Sequence, residues 1–507
     1  MKQVLRVLIF KILVFIAEHR RRRFVAKLKN IKSTQLELLK QITLFYSKTE
    51  YGESISINNA HTYDDFKKLP MRDYDELSHI FEAEKQNFSK RILPIRPKIW
   101  ELTSGSSGNR KSIPYSKEQL KSFIDTILIS FADLIKYGPK FKTSKIFFSL
   151  SPKSSKADAH TFSNDSEYLP LPIRALFSKY LINPKSLERI KDEDDYRLIL
   201  ALNLLQENDL ETIFIWSPSY LTVMLDFIQK NRIKILAIAI ANEYIVDNIK
   251  FKFKFNKKTI ELLKYTIDFD KLWPYLKLIS CWMDGSSSHF VAQIKAIFPN
   301  IVMQAKGLIA TEAIFTFPLE SHNSKVPLIT HNFYEFIDTN ARVFPLWNLE
   351  VGKAYEIVIS NRSGLIRYRI GDIIRVDSIQ DDIPNIVFTS RKNVVDITGE
   401  KLNETLIKEI FEKITIKDDI SFLYPVVENG TVYYNCLSNS KSEDLNEKLE
   451  YELSKILHYN ESRRNGQLSP SRVEYCPNII NRYNRYYLDK GLIMGDIKMS
   501  YLLTEFQ

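Results

Sequence analysis

The sequence contains few cysteines and no recognisable cysteine pattern. Cys281, Cys436 and Cys476 are the three cysteines among 507 residues, and they lie far apart without CxxC spacing. This arrangement indicates neither a disulfide framework nor a zinc site. The eight histidines likewise show no HExxH or paired-ligand spacing, so structural positions are preferred over metal ligation for them. A reducing cytoplasm is therefore the expected location.

A hydrophobic run long enough to span a membrane is also missing from the N-terminal segment. The apolar stretch from Val4 to Ala17 is interrupted by basic residues, whereas a spanning helix needs about 20 apolar residues. The basic run Arg20–Arg23 follows this stretch, and no clear cleavage site is present, which argues against a secretory signal. We expect an amphipathic helix that packs on the body of the protein. Peripheral contact with a membrane surface is the less favoured alternative.

The charge balance lacks the clustering that is typical of nucleic-acid-binding proteins. The 72 basic and 61 acidic residues give a net charge of +11, which is spread along most of the chain. No RRM, zinc-finger or basic-zipper pattern accompanies the excess, so no nucleic-acid partner is expected, whereas ATP or an acidic substrate would suit the same charge. The length and the 44% hydrophobic content allow a large core and two to four domains.

The stretch from Thr103 to Lys111 has the composition of a phosphate-binding loop. Its glycines let backbone N–H groups approach an anion, its hydroxyls add hydrogen bonds, and a lysine stands at its end. The spacing does not match the Walker A motif, so a P-loop NTPase fold is a poor match. On the residues of this loop alone, a solvated surface turn is an equally good explanation.

Apolar periodicity predicts an α/β fold. Ser116 to Tyr137, just after the loop, is predicted to be a helix with one apolar face, and Pro218 to Asn231 is a second helical stretch. Short apolar runs suited to buried strands lie between such stretches. These runs are Ile146 to Leu150, Thr212 to Trp216 and Leu276 to Cys281. The alternation indicates a mixed α/β domain with a substantial sheet.

From Asn332 onward the pattern changes to short antiparallel strands. Turn signals at Asn361–Gly364 and at Gly371-Asp372 separate the strand candidates. The candidates are Asn332 to Asp338, Ala354 to Ser360, Leu365 to Arg369 and Ile373 to Asp377. A last block has signals of its own, including a helix from Asn403 to Lys413 with Asn403 as its cap. We predict a large N-terminal domain at 1–390 with a β-rich subdomain, and a small C-terminal α+β domain at 391–507.

Three further segments have residues suited to nucleotide chemistry. Asp284–Ser288 is predicted to be a small-residue loop at a strand end, where ligands of α/β proteins tend to bind. In Thr311-Glu312 the hydroxyl can bond a phosphate and the carboxylate can hold Mg²⁺. Asp372, just beyond a glycine, can accept hydrogen bonds from ribose hydroxyls. Each segment also has a purely structural explanation. The loop at Asp284 could be a surface turn, Thr311-Glu312 a helix cap, and Asp372 part of a tight turn between strands.

Taken in order, these motifs resemble the adenylate-forming superfamily and, within it, the auxin-responsive acyl acid amido synthetases of plants and their bacterial relatives. The resemblance extends from about Thr34 to Lys498. No single motif is decisive, whereas the ordered set is highly specific. The matching segments are Thr103–Lys111 with Ile113-Pro114, Trp216–Pro218, Leu272–Pro274, Thr311-Glu312, Tyr334–Phe336, Tyr368–Asp372 and Gly495–Lys498.

The resemblance implies that the loop binds the ATP phosphates. Lys111 and the loop hydroxyls would contact the phosphates, while the loop glycines allow close backbone approach. The loop residues concerned are Ser104, Gly105, Ser106, Ser107 and Gly108. Gly285 and Ser286, together with Gly307, would border the adenine and acyl pocket.

The resemblance also implies roles for residues of the later segments. Thr311 would contact a phosphate, and Glu312 would hold Mg²⁺. Asp372 would bind the ribose hydroxyls with the assistance of Arg391.

The resemblance also implies roles for two lysines of the C-terminal part. Lys392 lies where the superfamily has its hinge, and Lys498 resembles the lysine that the small domain brings to the α-phosphate region. The sequence departs from the usual pattern after Lys498, where Met499-Ser500 replaces a proline. Ile309-Ala310 replaces small polar residues before the Thr-Glu pair, which would alter the acyl or acceptor pocket.

The implied function is the ATP-dependent activation of a small carboxylic acid, followed by acyl transfer to an amine, commonly an amino acid. Catalysis would fall to Lys111, Glu312 and Lys498, with ATP and Mg²⁺ as cofactors, and the protein is expected to act as a monomer. An acyl-CoA ligase that passes the same adenylate to CoA is the alternative among enzymes. A nucleotide-binding protein without turnover is the alternative outside them.

Overall fold

The computed structural model describes residues 2–102, 111–143, 145–148, 187–190, 192–284, 287–391, 394–414, 419–428, 430–489 and 500–506. The phosphate loop at 103–110 lies outside these residues. Gly285, Ser286, Lys392 and Lys498 lie outside them as well.

Helices and strands alternate through the first part of the chain, and strands dominate its middle. The helices are α1 (Lys2–Leu28), α2 (Ile31–Tyr46), α3 (Glu50–Ser54), α4 (Tyr63–Phe66), α5 (Tyr74–Gln86), α6 (Lys117–Tyr137), α7 (Glu193–Gln206), α8 (Pro218–Lys230), α9 (Arg232–Ala241), α10 (Lys257–Leu263), α11 (Phe269–Leu272), α12 (Ser288–Ile297), α13 (Glu404–Ile414), α14 (Leu445–Ser454), α15 (Leu457–Arg464) and α16 (Ile479–Asp489). The strands are β1 (Ile99–Leu102), β2 (Ser112–Tyr115), β3 (Lys145–Phe148), β4 (Leu210–Phe214), β5 (Glu243–Val246), β6 (Ile249–Lys252), β7 (Leu278–Cys281), β8 (Val302–Ala305), β9 (Thr316–Leu319), β10 (Ser324–Pro327), β11 (Asn332–Ile337), β12 (Val343–Pro345), β13 (Ala354–Asn361), β14 (Tyr368–Gln380), β15 (Ile383–Arg391), β16 (Val394–Val395), β17 (Leu402–Asn403), β18 (Ser421–Glu428), β19 (Thr431–Ser438) and β20 (Arg472–Tyr475).

A four-stranded parallel sheet forms the centre of the α/β region. Its strand order is β3-β4-β7-β8, and all residues of β7 are buried. Apolar faces of α7, α8 and α12 pack against this sheet in one core, which includes Leu198, Leu225 and Ile294. The strands predicted at 146–150, 212–216 and 276–281 are confirmed to within a few residues as β3, β4 and β7. Burial on both faces explains why they are continuous apolar runs.

A larger antiparallel sheet follows, with seven strands in the order β12-β11-β13-β14-β15-β16-β17. The N-terminal helices pack on it, and Gln35 of α2 donates from Nε2 to the carbonyl oxygens of Ile329 and Asn332 at 2.9 and 2.8 Å. The predicted strands at 332–338 and 354–360 are confirmed as β11 and β13. The N-terminal helices α1 to α5 therefore cover the β-rich subdomain.

Gly371 and Asp372 lie inside a strand, so the turn predicted at this dipeptide is wrong. Strand β14 runs unbroken through both residues. Its pairing with β13 shifts register between Glu356 and Val358, and Gly371 has φ +84° at this irregularity. A glycine marks a β-bulge as readily as a turn, and the partner strand decides between the two.

The C-terminal half of helix α1 packs along α6, whereas the packing predicted for the apolar stretch from Val4 to Ala17 stays a prediction for the residues before Ala17. The inward face of this half includes Ala17, Arg21, Phe24 and Leu28, each at most 5% exposed. Arg21 donates from Nη1 to Oδ1 of Asp133 on α6 at 3.1 Å. Across the described ranges, no helix has the length and apolar character needed to cross a membrane.

The C-terminal part contains a three-stranded sheet in the order β18-β19-β20, with α13 to α16 around it. Helix α13 begins as predicted, because Asn403 accepts a hydrogen bond from the backbone N–H of Leu406 at 2.9 Å. Strands β16 and β17, which follow the predicted boundary at 390/391, continue the large antiparallel sheet. The boundary stays a prediction. Gln467 reaches the α/β region, where its Nε2 donates to Ser219 Oγ at 2.5 Å.

Candidate active site

Strands β7 and β8 end side by side at one edge of the parallel sheet. Cys281 at the end of β7 lies opposite Ala305 at the end of β8, and the N–H of Lys306 donates to the Cys281 carbonyl at 3.1 Å. Asp284 follows β7 and Gly307 follows β8. Ligands of α/β proteins bind at the carboxyl ends of parallel strands. Two of the predicted binding segments therefore begin at the edge that suits a ligand.

The same edge carries an aromatic cluster to which the sequence motifs gave no role. The Nζ of Lys306 lies 5.6, 5.1 and 4.7 Å from the ring centroids of Phe148, Phe214 and Trp216. Trp282 packs against Trp216 with 5.4 Å between ring centroids. All four rings are half-buried. They provide an apolar wall beside a cation at the strand ends.

Gly307 is required by the way its segment packs. Its φ is +88°, and a Cβ at this position would lie 2.3 Å from the carbonyl oxygen of Thr316 on β9. The next residue, Leu308, donates its N–H to Thr316 Oγ1 at 2.8 Å. The segment after β8 is therefore held tightly against the β9–β10 hairpin, and a side chain at Gly307 would separate the two.

Thr311 and Glu312 are attached to the elements that follow the phosphate loop. The Tyr115 hydroxyl, at the end of β2, donates to the Thr311 carbonyl at 2.8 Å. Gln119 in the first turn of α6 donates from Nε2 to the Glu312 carbonyl at 3.2 Å. The Glu312 residue is 3% exposed. These bonds join two segments that are almost 200 residues apart in sequence.

Lys111 lies in this region, beside an aromatic residue that the sequence did not reveal. Its Nζ is 5.5 Å from the ring centroid of Tyr74, and the Tyr74 hydroxyl accepts the N–H of Ser112 at 2.7 Å. Burial raises the pKa of the Tyr74 phenol, and the charge of Glu312 adds to the rise. No local pattern marks Tyr74, because its partner lies 38 residues away.

Asp372 and Arg391 form a second group on the antiparallel sheet. Asp372 of β14 and Arg391 of β15 are opposite each other in the backbone register of the two strands, and Asp372 is 4% exposed. The described candidates thus fall into three groups. Lys111, Thr311 and Glu312 form one, Asp372 and Arg391 form another, and Gly307 lies at the end of β8 against Thr316. Over the part of the chain that the structure describes, no cluster of three or more His, Cys, Asp or Glu is arranged to hold a metal ion.

Two protein-family models match the chain. One is described as the GH3 family N-terminal domain and matches residues 20–303, which is more than half of the chain. The other is described as the GH3 family central domain and matches residues 325–391.

Curated relatives match over most of their length. Indole-3-acetic acid-amido synthetase GH3.4 of Arabidopsis thaliana is 24% identical over 436 residues, which cover 76% of this chain and 71% of the relative. Indole-3-acetic acid-amido synthetase GH3.2 of the same plant is 24% identical over 440 residues, which cover 76% of this chain and 78% of the relative.

Solved structures share the fold. The GH3.15 acyl acid amido synthetase in complex with 2,4-DB aligns with a TM-score of 0.64 at 19% identity, over 96% of this chain and 94% of that one. The 2-hydroxyisobutyryl-CoA ligase in complex with 2-HIB-AMP and CoA aligns with a TM-score of 0.55 at 10% identity, over 97% and 90% of the two chains. The predicted mixed α/β fold is confirmed by these matches.

Proposed function

Because the chain belongs to the GH3 family, we propose that it activates a carboxylic acid with ATP and then joins the acyl group to the amine of an amino acid. The chain is an adenylate-forming ligase of the acyl acid amido synthetase type. One structural observation carries the more specific proposal. The hydrogen bonds of Tyr115 and Gln119 attach the Thr311-Glu312 segment to the strand and helix that follow Lys111.

In the first step, a carboxylate oxygen attacks the α-phosphorus of ATP. A new P–O bond forms while the bond to the bridging oxygen breaks, and pyrophosphate leaves with the electron pair. Negative charge develops on the phosphoryl oxygens, so the task of the protein is electrostatic. Lys111 and the N–H groups of the loop at 103–110 would stabilise this charge, each interaction contributing on the order of 3 kcal/mol.

Glu312 is the residue proposed to hold Mg²⁺. Its carboxylate and the neighbouring Thr311 hydroxyl are oxygen donors, which Mg²⁺ prefers, and this cation usually shares one or two carboxylates with substrate phosphates. The 3% exposure of Glu312 supports a site that is shielded from bulk water. When bound, Mg²⁺ would neutralise charge on the phosphate oxygens.

We assign the remaining substrate contacts, those to the ribose, the adenine and the acid, to residues of the two sheets. Asp372, with Arg391, would bind the ribose hydroxyls from the strand pair β14–β15. Gly285, Ser286 and Gly307 would border the adenine and acyl pocket at the carboxyl edge of the parallel sheet. The half-buried aromatic rings at that edge support this position for the apolar part of the acid.

In the second step, the amine nitrogen attacks the acyl carbon. The bond from that carbon to the AMP oxygen breaks, AMP leaves, and the nitrogen loses a proton to give the amide. We propose that the small domain at 391–507 turns at Lys392 between the two steps. The turn would withdraw Lys498, which serves the first step, and admit the acceptor.

We further propose that the protein is a cytoplasmic monomer. Cys281, Cys436 and Cys476 are free thiols, which suits a reducing compartment. Arg21 and Phe24 of α1 are buried against the body of the protein, and this supports packing over a membrane-surface role for that half of the helix.

A product assay tests this proposal. The purified chain is incubated with ATP and Mg²⁺, a panel of carboxylic acids, and either amino acids or CoA, and AMP and conjugates are measured by mass spectrometry. We expect AMP release that requires both an acid and an amino acid, with an amide as product. If the only product is a thioester formed with CoA, then CoA and not an amine is the acceptor. ATP binding without AMP release in every combination would contradict turnover.

A further inference from the structure

A buried ion pair joins the carboxyl end of β7 to the β9–β10 hairpin. The Nζ of Lys325 on β10 lies 2.7 Å from Oδ1 and 2.5 Å from Oδ2 of Asp284. The Lys325 side chain is 8% exposed and the Asp284 side chain 20% exposed. A charge removed from water to this degree is costly unless it is paired. The pair therefore constrains the positions of both side chains.

Asp284 also contacts the large antiparallel sheet. The N–H of Phe388 on β15 donates to Asp284 Oδ2 at 3.3 Å. Phe388 lies opposite Ile374 in the same strand pair in which Arg391 lies opposite Asp372. Asp284 thus connects the ligand edge of the parallel sheet to the two strands that carry the proposed ribose-binding carboxylate.

The β9–β10 hairpin holds the neighbouring strand end as well. Gln304 of β8 donates from Nε2 to Oε1 of Glu320, which lies between β9 and β10, at 2.6 Å. Gly307 packs on Thr316 of β9. The hairpin is therefore the common support of both strand ends, and Lys325 is the residue through which it holds Asp284.

We infer that Asp284 and Lys325 are a positioning pair for ATP, which keep the carboxyl edge of the parallel sheet in place relative to the strands that carry Asp372. The inference rests on the proposed function, because that function assigns Asp372 to the ribose. Loss of the pair lets the segment after β7 move against β14 and β15. ATP binding then weakens, and the acyl pocket proposed at the same edge is disturbed with it, whereas the step that follows binding changes little.

A matched control is available at the opposite end of β7. Lys277, which precedes this strand, lies 3.3 Å from Oε1 of the fully buried Glu211. The substitution Lys277→Met removes a lysine–carboxylate pair beside the amino end of β7, between the residue before this strand and Glu211 on β4, away from the ligand edge. General loss of stability is thereby separated from loss of ATP positioning.

The test compares Lys325→Met, Lys325→Arg and Lys277→Met with the unaltered chain. ATP affinity is measured by calorimetric titration, and the KM for ATP, the KM for the acid and kcat by pyrophosphate exchange. We expect Lys325→Met to weaken ATP binding about ten-fold and to raise the KM for the acid as well, with kcat within about two-fold. Lys325→Arg keeps the charge and recovers most of the affinity. Lys277→Met leaves the affinity for ATP unchanged.

Equal ATP affinity in Lys325→Met and the unaltered chain would overturn the inference. An equal loss in Lys277→Met would overturn it too, because the effect would then be general. If Lys325→Met is insoluble, Asp284→Glu, which displaces the carboxylate by one methylene, takes its place with the same expected loss. The calorimetric result does not depend on any carboxylic acid. A chain that binds ATP with the expected dependence on Lys325 but activates no acid contradicts the proposed function alone.

Discussion

Arg367 and Glu335 form a bidentate salt bridge inside the large domain. Nε and Nη2 of Arg367 donate to Oε2 and Oε1 of Glu335 at 2.8 and 2.9 Å, and the two side chains are 2% and 1% exposed. The Nη1 of Arg367 also donates to the carbonyl oxygens of Lys67 and Leu69. The Glu335 segment and the strand that follows Arg367 are both part of the family resemblance. This pair joins them to the segment that follows α4, which is a structural role.

Loss of this salt bridge should destabilise the protein strongly. We expect Arg367→Met to lower the free energy of unfolding by about 3–5 kcal/mol, because Glu335 is left buried and unpaired. Replacement of both residues by apolar ones should recover much of the loss. Arg375, whose pair with Asp377 has side chains 51% and 50% exposed, is the control, and Arg375→Met should change stability by less than about 1 kcal/mol. Urea unfolding measures all of these, and equal effects at Arg367 and Arg375 would contradict the assignment.

Substitution of Gly307 should be more costly than its backbone angle alone explains. Gly307 and Gly352 have φ +88° and +80°, but a Cβ at Gly307 meets the Thr316 carbonyl at 2.3 Å, whereas a Cβ at Gly352 meets nothing within 4 Å. We expect Gly352→Ala to cost about 1–2 kcal/mol from the left-handed backbone. Gly307→Ala should cost clearly more and should also weaken ATP binding. Thermal unfolding of both variants checks this. Equal losses of stability in the two variants would contradict the expected cost of the contact with the Thr316 carbonyl.

The three cysteines should differ sharply in reactivity. Burial raises the pKa of the Cys281 thiol to about 12, and burial also raises the pKa of Cys436 well above its usual range. Cys476 is half-buried. Because the thiolate is the reactive form, we expect an aromatic disulfide reagent near neutral pH to modify Cys476 in the folded protein and all three thiols after denaturation. Mass spectrometry of the labelled peptides shows which of the three cysteines has reacted. Rapid labelling of Cys281 in the folded state would be the contrary result.

The attachment of α1 should weaken in acid. Hydrogen bonding to Arg21, supported by Arg22 and Lys136, lowers the pKa of Glu18 from its ordinary value of 4.5 to about 2. The unfolded chain therefore binds this proton more tightly, so the contribution to stability is complete above about pH 4.5 and is lost as the pH falls towards 2. We expect the stability difference between the unaltered chain and Glu18→Gln to shrink with falling pH. A difference that is constant between about pH 7 and pH 3 would contradict this.

Caps and apolar patterns in the sequence predicted the helices and strands whose formation depends on neighbouring residues. Helix α6 begins after Ser116 and ends at Tyr137 as expected, because Ser116 Oγ accepts the N–H groups of Glu118 and Gln119 at 3.2 Å and the apolar face is continuous. Asn403 caps α13 for the same reason. The parallel strands were found because burial on both faces gives continuous apolar runs.

Features that depend on distant partners were not predictable in this way. The turn at Gly371-Asp372 was wrong because the pairing of β14 with β13 and β15 fixes that backbone. Tyr74 and Lys325 were missed because their partners, Ser112 and Asp284, lie 38 and 41 residues away. The roles of Lys392, Lys498 and the loop at 103–110 come from the family resemblance and stay predictions.

Carboxylate-dependent exchange of labelled pyrophosphate into ATP shows whether the protein forms an acyl-adenylate. We predict that at least one acid in a broad panel supports exchange. We also predict that Lys498→Ala reduces exchange by orders of magnitude while transfer of the acyl group from preformed adenylate to the amine is spared. ATP binding with no exchange for any acid, or equal loss of both steps in Lys498→Ala, would contradict these predictions.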